Sequence, residues 1–284
     1  MVLIILKNEF LLEVNKMANL NLSNFIVDRV ISGIGYNSDD EVVFKMDQCQ
    51  NTSITCGSES TDIVDNVGSP IMTLYRSKTC EISGENAILD FNITAFQMGA
   101  EKKVADDEGI VAPAQEVLDV NGGKCTLKYE PVVGPTFVYT LNEDSSLGNK
   151  YVIDTKADEV DGEDGTFTIV GKEITLPEGV ADNTQVFVTY EYRTTSAVEI
   201  VNSAKNFPKS CKLVLRVLGY NPCKKDNKLG AYIIFPSFEM SPDFDLSLNA
   251  GEAQSWSGKA SQDYCSRDKR LMSICVVDED DDTF

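Results

Sequence analysis

Histidine is absent from all 284 residues. That removes the commonest general base and the commonest metal ligand together. Ser and Cys are plentiful, but no imidazole is available to activate them. The chain also lacks a G-x-S-x-G elbow, a Walker-type lysine loop and any C-x-x-C pair, so hydrolase, nucleotide-binding, zinc and thioredoxin-type readings lose their usual signatures. Cations are scarce: Lys plus Arg is 25 against 45 for Asp plus Glu, a net charge of −20. Lys102-Lys103 and Lys224-Lys225 are only pairs, too little to hold a phosphate backbone on so acidic a chain. Sequence-specific nucleic-acid binding is therefore not expected, while an acidic wall past which DNA slides without sticking is consistent. Long apolar runs are missing as well. Val2 to Leu6 is too short to span a membrane, and it has neither a basic flank nor a small-residue cleavage site. The expectation is a non-enzymatic protein with no membrane partner, no cofactor, and no catalytic, cofactor-binding or metal residues.

What is present is an ordinary globular supply of core-formers, with 42% hydrophobic residues. The eight cysteines are Cys49, Cys56, Cys80, Cys125, Cys211, Cys223, Cys265 and Cys275. An even count suits disulfides in a secreted chain, but without a secretory signal the reading is buried free thiols in a protein made in a reducing cytosol. For the same reason the acceptor patterns Asn51-Thr52-Ser53 and Asn92-Ile93-Thr94 carry no glycosylation reading. Glu13-Val14 can be encoded by GAG-GTN, a ribosome-binding sequence just upstream of Met17. Residues 1–16 are thus expected to be leader read as protein, with the natural start at Met17.

Most of the chain reads as β-strand. Glu41–Met46, Ile71–Tyr75 and Ala87–Ile93 are short candidates, with Gly84 marking the turn before the last. Val186, Val188, Tyr190 and Tyr192 alternate with polar neighbours, as a half-buried strand does. Thr166–Val170 and Glu173–Leu176 flank Gly171-Lys172 as a hairpin, and Thr136–Leu141 and Tyr151–Asp154 add strands. Later come Lys212–Leu218, Ala231–Phe235 ending at Pro236, Phe244–Leu248, and Leu271–Val277. Helix signals are few: Ser23 as a cap for Asn24–Ile31, and a turn over Thr94–Met98 stopped by Gly99. Gly33-Ile34-Gly35 reads as a loop.

Three features invite a site and have a plainer reading beside it. The acidic run Asp278-Glu279-Asp280-Asp281-Asp282 does not match a calcium loop and reads as a solvated end. Asp158, Glu159, Asp161, Glu163 and Asp164 sit beside Gly162 and Gly165 in an apparent turn, unlike carboxylates held in a cleft. Trp256, the single tryptophan, is either an interface anchor or a core aromatic.

Two segments carry a resemblance. The first is Ser53–Gly99, with Asp65-Asn66-Val67-Gly68-Ser69-Pro70-Ile71, Ser77-Lys78-Thr79-Cys80-Glu81-Ile82-Ser83-Gly84-Glu85-Asn86-Ala87 and Thr94-Ala95-Phe96-Gln97-Met98-Gly99. The second is Tyr232–Asp278, from Ile233-Ile234-Phe235-Pro236-Ser237-Phe238 to Leu271-Met272-Ser273-Ile274-Cys275-Val276-Val277-Asp278. In pattern and order they resemble the major tail, or tail tube, structural proteins of tailed bacteriophages. The resemblance implies a mainly β fold: a tail-tube-like β-sandwich or half-barrel with a flanking helix, interrupted by an inserted immunoglobulin-like (Ig-like) β-sandwich. The divisions expected are 17–115 for the first half of the tube domain, 116–199 for the insert, 200–277 for the second half and 278–284 for the acidic tail. It further implies a virion protein of the tail, made in the bacterial host cytoplasm, that self-assembles as a homo-oligomer of stacked hexameric rings around an acidic channel for DNA. Sheath, baseplate or tape-measure proteins would be its neighbours. Two alternatives remain open here: a capsid decoration or head–tail connecting protein, and, from another class, a secreted β-sandwich adhesin or carbohydrate-binding module.

Overall fold

The computed structural model describes residues 22–132, 134–153, 165–262 and 267–277, with backbone only at 224–227. The leader 1–16 with Met17, the carboxylate cluster at 158–164, Cys265 and the acidic run 278–282 lie outside the described residues. Among the described residues the fold is mainly β with one short helix. It divides into two compact units, one ending at Lys102 and resuming at Ile200, the other Lys103–Glu199.

Unit 1 is built on an eight-stranded sheet. Its strands are β1 (Ile26–Tyr36), β2 (Val42–Met46), β3 (Cys49–Val64), β4 (Pro70–Asn86), β14 (Ser210–Asn221), β15 (Lys224–Met240), β16 (Gln254–Ala260) and β17 (Ser273–Val277). The order across the sheet is β2-β1-β14-β15-β16-β4-β3, with β17 pairing β15 beside β16. The sheet rolls until both end strands serve one core. Phe44 and Met46 from β2 join Leu213, Leu215, Phe235, Phe238, Ile82 and Trp256, and Cys49 and Ile54 of β3 pack against them. Each such side chain, fully buried, contributes roughly 1.5–3 kcal/mol.

The segment expected to be helix from Ser23 is β1. Two bulges, at Val27/Arg29 and Val30/Ser32, each insert a residue against β14. They throw the period-two alternation out of step, so that Val27, Val30, Ile31 and Ile34 fall at helix-like intervals. Gly33 and Gly35, expected in a loop, sit in the same strand opposite Met46 and Phe44. A Cβ there would come within 2.5 Å of Met46 Cε and 2.4 Å of the Phe44 ring. Gly84 likewise lies inside β4 opposite Trp256, not in a turn. These glycines make room for the large side chain of the neighbouring strand.

Ala87–Ile93, expected as strand, is a turn leading into the helix α1 (Phe91–Gln97). Asp90 Oδ1 caps it by accepting from the N–H groups of Asn92 and Ile93 at 2.6 and 3.2 Å. At the far end Ala100 N–H donates to Ala95 O and Gly99 N–H to Phe96 O, with Gly99 at φ +62°, a left-handed stop. The helix lies on the sheet through a buried polar clamp. Gln254 Oε1 accepts from Asp90 N–H at 2.9 Å, and its Nε2 donates to Thr94 Oγ1 at 3.0 Å.

β15 does not end at Pro236. The strand runs on to Met240 because Pro236 falls where β15 carries one residue more than β14 between Phe235 and Phe238. A bulge asks no N–H of a proline. Phe244–Leu248, expected as strand, is loop. There Ser247 and Asn249 bond to Glu252 instead of to a neighbouring strand.

Unit 2 starts at Lys103, ahead of the boundary expected at 116. Two short strands, β5 (Lys103–Val104) and β13 (Val198–Glu199), pair where the chain enters and leaves. The remaining strands are β6 (Ile110–Asp119), β7 (Lys124–Thr126), β8 (Phe137–Leu141), β9 (Leu147–Ile153), β10 (Thr166–Val170), β11 (Glu173–Thr175) and β12 (Gln185–Thr194). They order β6-β12-β8-β9-β10-β11-β7 around a separate core of Val138, Phe167, Ile174, Val186, Val188 and Tyr190. The early start follows from β6, which pairs with β12 from Ile110 to Asp119. The hairpin β10–β11 turns at Gly171 with φ +60°, where the sequence places it.

Candidate assembly interface

A sheet edge is a row of unpaired N–H and C=O groups, and it recruits another strand unless something blunts it. In unit 1 the end strand β3 runs for 16 residues from Cys49 to Val64 with neither proline nor Lys nor Arg, so its guards are limited to Glu59, Asp62 and the irregularities in its pairing with β4. At the other end of the sheet lies β2. The outer side of β17 is open too among the described residues, and its sequence Ser-Ile-Cys-Val-Val carries no charge.

The β3–β4 hairpin is also far longer than the sheet it belongs to. β16 pairs with β4 only from Cys80 to Asn86. Beyond Cys80 the two strands continue alone, paired from Gly57↔Thr79 to Val64↔Pro70. The turn is closed by Asp65 Oδ1, which accepts from Val67 and Ser69 N–H at 2.9 and 2.8 Å. This two-stranded arm has little beneath it. Val67, Ile71 and Tyr75 are 79%, 68% and 73% exposed, and Ile63 and Met72 form an exposed cross-strand pair. An isolated hairpin is marginal in water, and a cluster of exposed apolar side chains marks a contact surface.

The convex face of the same sheet differs from the core face in every respect. Ser53, Ser83 and Ser257 stand side by side across β3, β4 and β16, and Ser53 and Ser83 hydroxyls bond at 3.0 Å. One row along, Lys259 sits between Glu239 and Glu81, 3.4 Å from the Glu81 carboxylate. Glu85 and Asp243 line the shallow grooves alongside. Across β3, β4 and β16 this patch offers hydroxyls and an excess of carboxylates with one ammonium, while Lys45 and Lys212 lie farther along the same non-core side in β2 and β14. The patch itself presents too little positive charge to hold a phosphate chain.

Trp256 is 2% exposed in the core, so it is not an interface anchor. The cysteines divide. Cys125 and Cys211 are buried thiols, but Cys223 and Cys275 are exposed, and Cys56 and Cys80 are joined as a disulfide across β3 and β4. The pairing was not legible because cysteines opposed on two strands lie a hairpin apart in sequence. The candidate edge was missed as a set of residues. An edge is defined by which strands lack neighbours, and only the topology shows that. The length of β3 and β4 was the one signal available. Among the described residues no helix is long and apolar enough to cross a membrane.

The model of the YomU/Tube protein family matches residues 24–269 and so runs through both units. No curated protein matches the chain.

Proposed function

The chain belongs to the YomU/Tube protein family, a phage-associated tube protein family that makes it a structural component of the virion, and from that membership we propose that it builds a tail tube by joining copies of unit 1. The observation that carries this reading is the long β3 edge, without proline, Lys or Arg, and the arm that extends it. An end strand of one copy pairs with the opposite end strand of the next, a head-to-tail contact that closes into a ring. Closure removes the edges that would otherwise invite aggregation. The arm reaches past its own sheet and lays its apolar side chains on the neighbouring copy. Hexameric rings then stack, and the serine and carboxylate face of β3, β4, β16 and β15 turns toward the channel. Fixed negative charge there keeps DNA moving by denying it contacts. No side-chain chemistry takes part. Unit 2, with its own core, is an Ig-like insert on the tube, and sheath, baseplate or tape-measure proteins are the outer partners.

Negative-stain electron microscopy of the purified full chain tests this. Wild-type protein is expected as rings or tubes. A variant in which Asn-Gly replaces residues 58–78, joining the opposed Gly57 and Thr79, is expected to fold and stay monomeric. Assembly of that variant as readily as wild type would remove the arm from the mechanism. A wild-type protein monomeric at every concentration would end the reading altogether.

A further inference from the structure

The disulfide stands at one particular place in the hairpin. Cys80 faces Cys56 on β3 and, on its other side, pairs with Ala260, the last residue of β16. It is thus the last β4 residue with a strand on both sides. Beyond it the arm begins. The two Cα atoms are 4.2 Å apart, and a one-residue slip of β3 against β4 would turn Cys56 to the other face of the sheet. Only the observed register allows the bond. The two sulfurs also differ in access: Cys80 is 1% exposed within the core, whereas Cys56 is an exposed residue.

We propose that Cys56 and Cys80 form a reversible redox staple that locks the root and register of the arm. The proposal rests on the reading of the arm as the docking element. In a reducing cytosol both residues are thiols and the arm is held by its backbone pairing alone. A small-molecule disulfide, such as oxidised glutathione, closes the staple by exchange. The Cys56 thiolate attacks the small disulfide and releases one small thiolate. The Cys80 thiolate then attacks the Cys56 sulfur and releases the second. Two protein thiols are oxidised, one small disulfide is reduced to two small thiols, and no other oxidant is needed. A reductant acts in reverse through the same accessible Cys56. The closed bond removes conformations from a loop with a separation of 24 residues, which in the chain-entropy picture shifts the arm's opening equilibrium about a hundredfold.

Hydrogen exchange read by mass spectrometry on the full-length protein, kept dilute and monomeric, decides the matter. After treatment with oxidised glutathione, peptide mapping is expected to find Cys56 joined to Cys80. Reduction is expected to speed amide exchange across Gly57–Thr79 by about a hundredfold, leaving Leu213–Val217 in the core unchanged. Cys56→Ser, at an exposed position, is expected to match the reduced protein under both conditions. Either of two results overturns the staple: no Cys56–Cys80 peptide after oxidation, or equal arm protection in oxidised, reduced and Cys56→Ser protein. These readouts need no assembly. A staple that forms in a protein whose arm proves dispensable for tubes would therefore fail the docking reading and not this one.

Discussion

Glycine to alanine at two positions in one hairpin is expected to change stability in opposite directions. Both Gly57 and Gly84 have ordinary extended backbone, so the neighbours decide the sign. At Gly84 a Cβ would stand 2.7 Å from Trp256 Cζ2, 2.9 Å from Cε2 and 3.1 Å from Thr52 Oγ1. The indole is 2% exposed and packed on all sides, so the ring has nowhere to retreat. Overpacking of this kind costs about 1–3 kcal/mol, and the stiffer unfolded chain returns about 0.5–1 kcal/mol. The net loss is about 1–2 kcal/mol. At Gly57, on the exposed arm, the added methyl meets only Thr79 Oγ1 at 3.3 Å. There the chain-entropy gain stands almost alone, about 0.5 kcal/mol in favour. Trp256 is the only tryptophan, so its fluorescence reports unit 1 by itself during urea unfolding. With a urea slope of about 2 kcal/mol/M, the Gly84→Ala midpoint should fall by about 0.5–1 M and the Gly57→Ala midpoint should rise slightly. A Gly84→Ala midpoint at or above wild type would refute the claim that the aromatic–glycine pairs fix the packing of this sheet.

Three other perturbations test separate parts of the fold. Gln254→Leu leaves the Asp90 N–H and the Thr94 hydroxyl without the partner they have now, and the same fluorescence transition should show a loss of about 2–3 kcal/mol. Burial pushes the Cys211 thiol up to about 12. It pushes Cys49 and Cys125 up to about 11, with the Asp47 and Glu116 charges adding to the rise. The folded state then keeps protons that the unfolded chain gives up. Stability should be flat below the ordinary thiol range, about pH 8.5, and fall as pH climbs from there toward 11 and 12. Urea midpoints measured at rising pH would show it, and Cys211→Ala should flatten the slope. Finally, Val104 and Val198 are directly opposed and Ala105 N–H donates to Ala197 O at 2.9 Å. Removal of residues 106–196 with an Asn-Gly turn between Ala105 and Ala197 should leave the Trp256 transition within about 1 kcal/mol of wild type. Loss of that transition would mean that unit 1 needs unit 2 to fold.

The regular parts of the chain were legible because one face of a strand alternates with the other. Val186, Val188 and Tyr190 are the clearest instance, and all three are buried. The β14 residues Leu213, Leu215 and Val217 behave the same way. Misreadings gathered where something broke that alternation. Bulges in β1 imitated a helix, a bulge carried β15 past Pro236, and Asp90 converted an apolar stretch into a capped helix. Gly33, Gly35 and Gly84 read as turn or loop residues because a glycine that makes room for a large side chain across a strand (Met46, Phe44 and Trp256 here) looks, in one dimension, like any other glycine. Phe244, Leu246 and Leu248 alternate as well as any strand, yet no neighbouring strand pairs with them. The candidate edge stayed hidden for the same reason, since pairing depends on residues far away in the chain.

The edges of unit 2 are of a different kind. Its sheet ends in β6 and β7. β7 is three residues long, too short to template a partner. β6 has ten residues, but Pro113 stands within it without an N–H to offer, and Gln115, Glu116 and Asp119 follow. Proline, charge and brevity are the guards by which monomeric β-proteins avoid pairing with one another. Both kinds of edge are therefore encoded in a single sequence. The contrast favours unit 1 for the pairing surface of the proposed assembly, where β3 is the longest of the end strands, has no proline, Lys or Arg, and is extended by an arm with apolar side chains. Guarding β3 by Ser58→Pro, at a backbone N–H that faces away from β4, and by Ser53→Lys on its exposed face should then abolish assembly, whereas removing the guard from β6 by Pro113→Val should leave the ring unchanged.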